Sequence, residues 1–203
     1  MSLKTKYILI SILIIILTIV LITSTKKNNN SINETLVNEN LIKAEGFSIN
    51  SVATELNTSA KGTIFIKEVD GNKKHVKIIT WIEIDPNDWG GITFYIPKEW
   101  FVSNIISSYP ENKNATISQN YVAKWVTAGK EWYNCMVDVG RNRSYIPDGG
   151  GIGTVVIDLV LDKNENEAPE TFKFCVAIGC DEKKGIKIIG PDYIDIEIPI
   201  STN

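Results

Sequence analysis

Five tryptophans, Trp81, Trp89, Trp100, Trp125 and Trp132, carry the greatest binding potential in this sequence. A tryptophan offers a large flat apolar ring with one polar edge, so an exposed one stacks on a sugar or anchors a protein contact. Trp81 lies in an alternating run, on the face opposite Val76, Ile78 and Ile82. Trp89 sits in the loop-like string Pro86-Asn87-Asp88-Trp89-Gly90-Gly91, and Trp100 follows Pro97-Lys98-Glu99. These positions leave Trp81, Trp89 and Trp100 least committed to a core, and they are the candidate ligand-binding residues. Trp125 and Trp132 flank Gly129, where packing explains them better.

The residues that do bond-making chemistry are sparse. His75 is the sole histidine, at the start of a strand-like run beside Lys73 and Lys74. A histidine-based triad needs a nucleophile and an orienting acid, and no G-x-S-x-G elbow supplies one. Glycoside hydrolysis needs two carboxylates set across a cleft, and no pair of acids stands out. Cys135, Cys175 and Cys180 match no zinc spacing, and one histidine cannot complete the usual ligand set. In an exported domain they can form a disulfide, Cys175–Cys180 or either with Cys135, or stay as buried free thiols. Asp162-Lys163-Asn164-Glu165-Asn166 has calcium-loop character, but Glu167 stands where the loop needs glycine and Lys173 where it needs glutamate. It reads as a polar hairpin loop. A calcium site from Asp85 and Asp88 is conceivable on composition alone. No catalytic residue, metal ligand or cofactor is assigned.

Charge is unevenly spread. Residues 1–27 hold Lys4, Lys6, Lys26 and Lys27 and no acid; the rest of the chain carries 17 basic and 24 acidic residues, a net of −7. Its basic runs are no longer than Lys73-Lys74 or Lys183-Lys184, and nucleic-acid binding requires a clustered basic footprint. Nucleic acid is excluded as a partner.

Residues 7–23, YILISILIIILTIVLIT, pass without a charge. As a helix they span about 25 Å, near the short limit for a hydrocarbon core. Tyr7 suits an interface, and the bracketing lysines can snorkel. A cleaved signal peptide is the competing reading, but its apolar core is shorter and ends at a small-x-small site. Ile22-Thr23-Ser24-Thr25 is a poor one, and no cysteine follows for a lipoprotein anchor. The expectation is a single-pass cell-membrane anchor, with residues 1–6 as a short cytoplasmic tail. Residues 24–44 follow as a polar, Asn-rich linker, with a short amphipathic helix over 34–43 as its alternative. Residues 45–203 are placed outside the cytoplasm.

From residue 45 the dominant period is two. Val76, Ile78, Thr80, Ile82 and Ile84 alternate with polar or outer-face neighbours, as do Val155, Ile157, Leu159 and Leu161. The same holds for Phe172, Phe174, Val176 and Ile178, and for Ile194, Ile196, Ile198 and Ile200. Such alternation marks half-buried antiparallel strands. The spacing predicts eight or nine of them, over 46–56, 62–69, 75–85, 92–97, 119–128, 131–139, 153–162, 171–179 and 193–200. Residues 100–108 read equally as a helical turn or a further strand. Pro199 favours an edge strand for the last run. The runs 153–162, 171–178 and 192–200 resemble those of immunoglobulin-like and cohesin-like modules on prokaryotic surfaces. That likeness implies an all-β, antiparallel β-sandwich and transfers no binding residue. With the anchor and the lack of catalytic signature, the expected function is a non-enzymatic surface module for protein interaction or an envelope or adhesion role. A carbohydrate-binding module using exposed tryptophans is the alternative. The partner is an unknown protein or glycan.

Overall fold

β-Branched residues at every second position suit a pleated surface with one buried face. In the computed structural model those positions form two stacked antiparallel sheets. The structure describes residues 40–53, 55–69, 73–111, 121–127, 132–140, 149–161, 169–179, 181–183 and 186–200. The chain divides into a unit of residues 1–38 and a unit of residues 39–203, and the described residues belong to the second. The expected membrane span at 7–23 lies outside them, as do the polar loop at 162–166 and Cys180.

Twelve strands occur among the described residues: β1 (Asn40–Asn50), β2 (Ser59–Val69), β3 (Lys73–Ile84), β4 (Ile92–Pro97), β5 (Trp100–Ser107), β6 (Val122–Val126), β7 (Tyr133–Val139), β8 (Gly151–Leu161), β9 (Thr171–Ile178), β10 (Asp181–Lys183), β11 (Ile186–Ile189) and β12 (Asp192–Pro199). Sheet A has the order β1-β2-β3-β8-β5, and sheet B the order β12-β9-β4-β7-β6. β10 and β11 form a separate two-stranded ribbon. The chain crosses between sheets after β3, β4, β5, β7 and β8, while β1–β2, β2–β3 and β6–β7 are neighbours within one sheet.

The alternating residues meet in the core. One rung of sheet A joins Ile64, Ile78, Ile157 and Ile105 on four successive strands. Sheet B contributes Ile92, Phe94 and Ile96 from β4 and Cys135, Val137 and Val139 from β7, all buried. A train of rings runs through the middle. Trp100 meets Phe172 edge-on at 5.5 Å, Phe172 stacks with Phe174 at 6.0 Å, and Phe174 stacks with Phe94 at 6.0 Å. Phe47 of β1 touches Phe174 edge-on at 6.0 Å, tying the edge of sheet A to sheet B. At one end the Asp192 carboxylate accepts the backbone N–H groups of Val52 (2.6 Å) and Ala53 (2.9 Å), clasping the β1–β2 connection to the start of β12.

The structure corrects both ends of the first strand and decides one open reading. β1 begins at Asn40, inside the stretch read as linker, and replaces the helix considered over 34–43 where the two overlap; it stops at Asn50 rather than 56. Backbone pairing explains this: Asn40 lies opposite Glu68 and Asn50 opposite Ser59, so even polar β1 residues are held along all of β2. Residues 100–107 are a strand, not a helical turn. The β10–β11 ribbon was not anticipated; its strands are three and four residues long, too short for a periodic signal. The last strand does lie on an edge, as Pro199 requires.

Candidate functional site

Side chains that alternate away from the core cover the outer faces of the two sheets, and the two faces differ in chemistry. On sheet A, Ile79 of β3 lies opposite Val156 of β8, which lies opposite Ile106 of β5. Trp81 is next on the outer face of β3, paired with Thr154, and Ile152 is next on β8. Ile106 is 58% exposed and Trp81 43%, and Ile79 and Ile152 are also exposed. The result is a contiguous apolar stripe across three strands. Lys77 and Asp158 border it with an ion pair at 3.2 Å.

On sheet B, one outer rung crosses all five strands: Trp125, Met136, Tyr95, Cys175 and Asp195. The neighbouring rung holds Ala123, Asp138, Thr93, Ala177 and Tyr193. The Thr93 hydroxyl donates to Asp138 at 2.8 Å. Cys175 and Ala177 point outward yet are buried, because Tyr95, Trp132, Pro191, Tyr193 and Asp195 stand around them and leave a recess of about 270 Å³. Trp132 packs against Tyr95 at 6.2 Å and Tyr133 at 5.4 Å, and Tyr95 meets Tyr133 edge-on at 4.9 Å. The Trp132 carbonyl accepts the Lys98 N–H at 3.3 Å, and the Asn134 amide donates to the Trp100 carbonyl at 2.7 Å, so the wall is joined to the β4–β5 turn. A larger groove of about 730 Å³ adjoins the recess through Trp132 and Asp195.

The three tryptophans singled out from the sequence do not form one surface. Trp81 is on the outer face of sheet A as its parity requires, and Trp89 is half-buried in the loop after β3. Trp100 is 0% exposed, closed inside the core against Phe172, and is withdrawn as a ligand contact. Conversely Trp125 and Trp132, ascribed to packing, are exposed. Tyr95, Tyr193 and Asp195 were missed although a signal existed: Tyr95 sits at the opposite parity from Ile92, Phe94 and Ile96, and Tyr193 and Asp195 from Ile196 and Ile198.

The remaining candidates supply no catalytic or metal-binding group. His75 is half-buried on β3, opposite Lys67 and Val160. Cys135 and Cys175 are free and buried. They cannot pair, since Cys135 faces the core opposite Ile96 while Cys175 faces outward opposite Tyr95. Burial pushes the Cys135 thiol up, and burial together with its hydrogen bond to Asp195 pushes Cys175 up to about 12. Neither is the thiolate a nucleophile or metal ligand requires. Asp88 is buried and accepts from the Thr58 hydroxyl (2.6 Å) and from the N–H groups of Gly90 (2.8 Å) and Gly91 (2.9 Å). Asp85 accepts from the N–H groups of Asn87 (2.8 Å) and Asn57 (3.1 Å), the first of which chiefly holds its carboxyl below the ordinary value. Both acids therefore pin loops, and no group of three or more His, Cys, Asp or Glu able to hold a metal ion occurs among the described residues. No protein-family model matches this chain, and no curated protein matches it.

Proposed function

We propose that this chain is a non-enzymatic, membrane-anchored surface module that docks a protein partner through the outer face of sheet A. The observation that carries this reading is the stripe Ile106–Val156–Ile79–Trp81, an apolar surface contiguous across three strands with a charged border at Lys77 and Asp158. Isolated exposed apolar residues are ordinary, but a contiguous set with a polar rim is the anatomy of a protein interface. Anchoring rests on the uncharged run 7–23, and the Asn-rich stretch after it spaces the sandwich from the membrane. The finer reading of the fold, an immunoglobulin-like module, is supported by strand order. β2-β3-β8-β5 opposite β4-β9-β12 has the same sequence of connections as strands A-B-E-D and C-F-G of a constant-type immunoglobulin domain. β1 and the β6–β7 pair are then additions at the sheet edges.

The test is photo-crosslinking in native membranes, with benzoylphenylalanine placed at Ile106 or, for reference, at Val52 in the exposed β1–β2 loop. Ile106 should give one discrete protein adduct on the full-length, uncleaved chain, and Val52 should not. No adduct, or the same adducts from both positions, would overturn the docking face. A chain beginning near Lys26 would overturn the anchor.

A further inference from the structure

The recess and groove on sheet B lie on a different face from the apolar stripe and have different chemistry. The recess has a floor of small side chains, Cys175 and Ala177, and aromatic walls from Tyr95, Trp132 and Tyr193. Trp132 is 46% exposed and Tyr193 67%, so ring surface is available to a ligand while their neighbours keep the recess open. The groove beyond Trp132 changes character: Lys98, Glu99, Glu170, Lys173 and Glu197 line it, with Lys173 and Glu197 paired at 3.1 Å. The two volumes lie near the lower limit and within the range of ligand pockets, roughly 300–1,000 Å³.

A ligand for this surface must offer a flat apolar face to the rings and, farther along, hydroxyl or similar groups that both donate to carboxylates and accept from ammonium groups. A flat apolar protein surface fails the second demand, because it would bury these charges without partners. An anion meets Asp195, Glu197 and Glu99; a cation meets Lys98 and Lys173. A neutral sugar chain satisfies both demands, since a pyranose ring has a C–H face and a hydroxyl rim. We propose that the outer face of sheet B binds a neutral oligosaccharide, one ring stacked on Trp132 between Tyr95 and Tyr193, with hydroxyl groups donating to Asp195 and the chain continuing into the charged groove. Because Trp132 and Asp195 border both spaces, they sit where successive sugar rings meet.

The full chain, held in a zwitterionic detergent free of sugar, should be titrated with cello-, xylo-, manno- and chitohexaose while tryptophan fluorescence and heat are recorded. At least one hexaose should bind saturably. Trp132→Ala should weaken that binding about tenfold, and Asp195→Asn about fivefold. Circular dichroism should stay at the parental shape for both; Asp195→Asn should keep the parental melting temperature, while Trp132→Ala, which gives up its ring contacts with Tyr95 and Tyr133, should melt slightly lower but still cooperatively. Binding by none of the four, or binding that both variants retain at parental strength, would each overturn the proposal.

Discussion

Ile157→Asp should unfold the β-sandwich, whereas Asp158→Lys, one residue along, should cost about 1 kcal/mol. Ile157 is buried on β8, between Ile78 of β3 and Ile105 of β5. A carboxylate there leaves a gap and finds no partner among isoleucines. The combined cost is about 5 kcal/mol or more, comparable with the whole stability of a domain. Asp158 faces outward, and its visible interaction is the ion pair with Lys77, both side chains partly in water. Reversing its sign exchanges a weak attraction for a weak repulsion. Urea melts of a chain truncated to residues 39–203 provide the measurement. The truncation must keep Asn40, because β1 pairs from that residue onward. Equal midpoints for the two variants would show that β8 is turned over.

Gly153→Ala should be nearly as damaging, at about 3 kcal/mol, and Gly153→Val worse. A Cβ at Gly153 would lie 2.5 Å from Tyr109 Cα and 2.7 Å from Tyr109 N. These are backbone atoms of the segment that leaves β5, where Tyr109 is buried and its ring meets Tyr121 at 6.0 Å. The segment is also fastened to β8 from both sides, Ser108 N–H to the Thr154 carbonyl at 2.9 Å and Glu111 N–H to the Ile152 carbonyl at 2.8 Å. It cannot move aside without breaking those bonds. Gly46→Ala is the matched control. Its Cβ would meet nothing nearer than the Gly62 carbonyl at 3.9 Å, so it should be neutral or stabilising by about 0.5 kcal/mol. If the two alanine variants melt alike in urea, the close approach of Tyr109 to β8 is wrong.

Period two by itself determined the all-β class and the inner faces of β3, β8, β9 and β12, because a half-buried strand leaves the same mark whatever it packs against. It also placed Trp81 on an outer face, and Pro199 placed the last strand on an edge. Tertiary structure decided the rest, and Trp100 shows why. β5 pairs Val102 with Leu159 but Asn104 with Asp158, so Ser103 is an extra residue. That bulge switches the inward positions from Trp100 and Val102 to Ile105 and Ser107, and the alternation that would have marked Trp100 as core is broken in the middle. β6 is only five residues long, and Lys124 at its centre takes the inward parity opposite Val137, so its alternation does not reveal that Trp125 faces outward. The sheet B recess needed more still. Tyr95, Trp132, Cys175 and Tyr193 lie on or beside four strands distant in sequence, and only the sheet order brings them together. Parity shows which way a side chain points, whereas strand order decides what stands beside it, and that order depends on long-range pairing that no local run encodes.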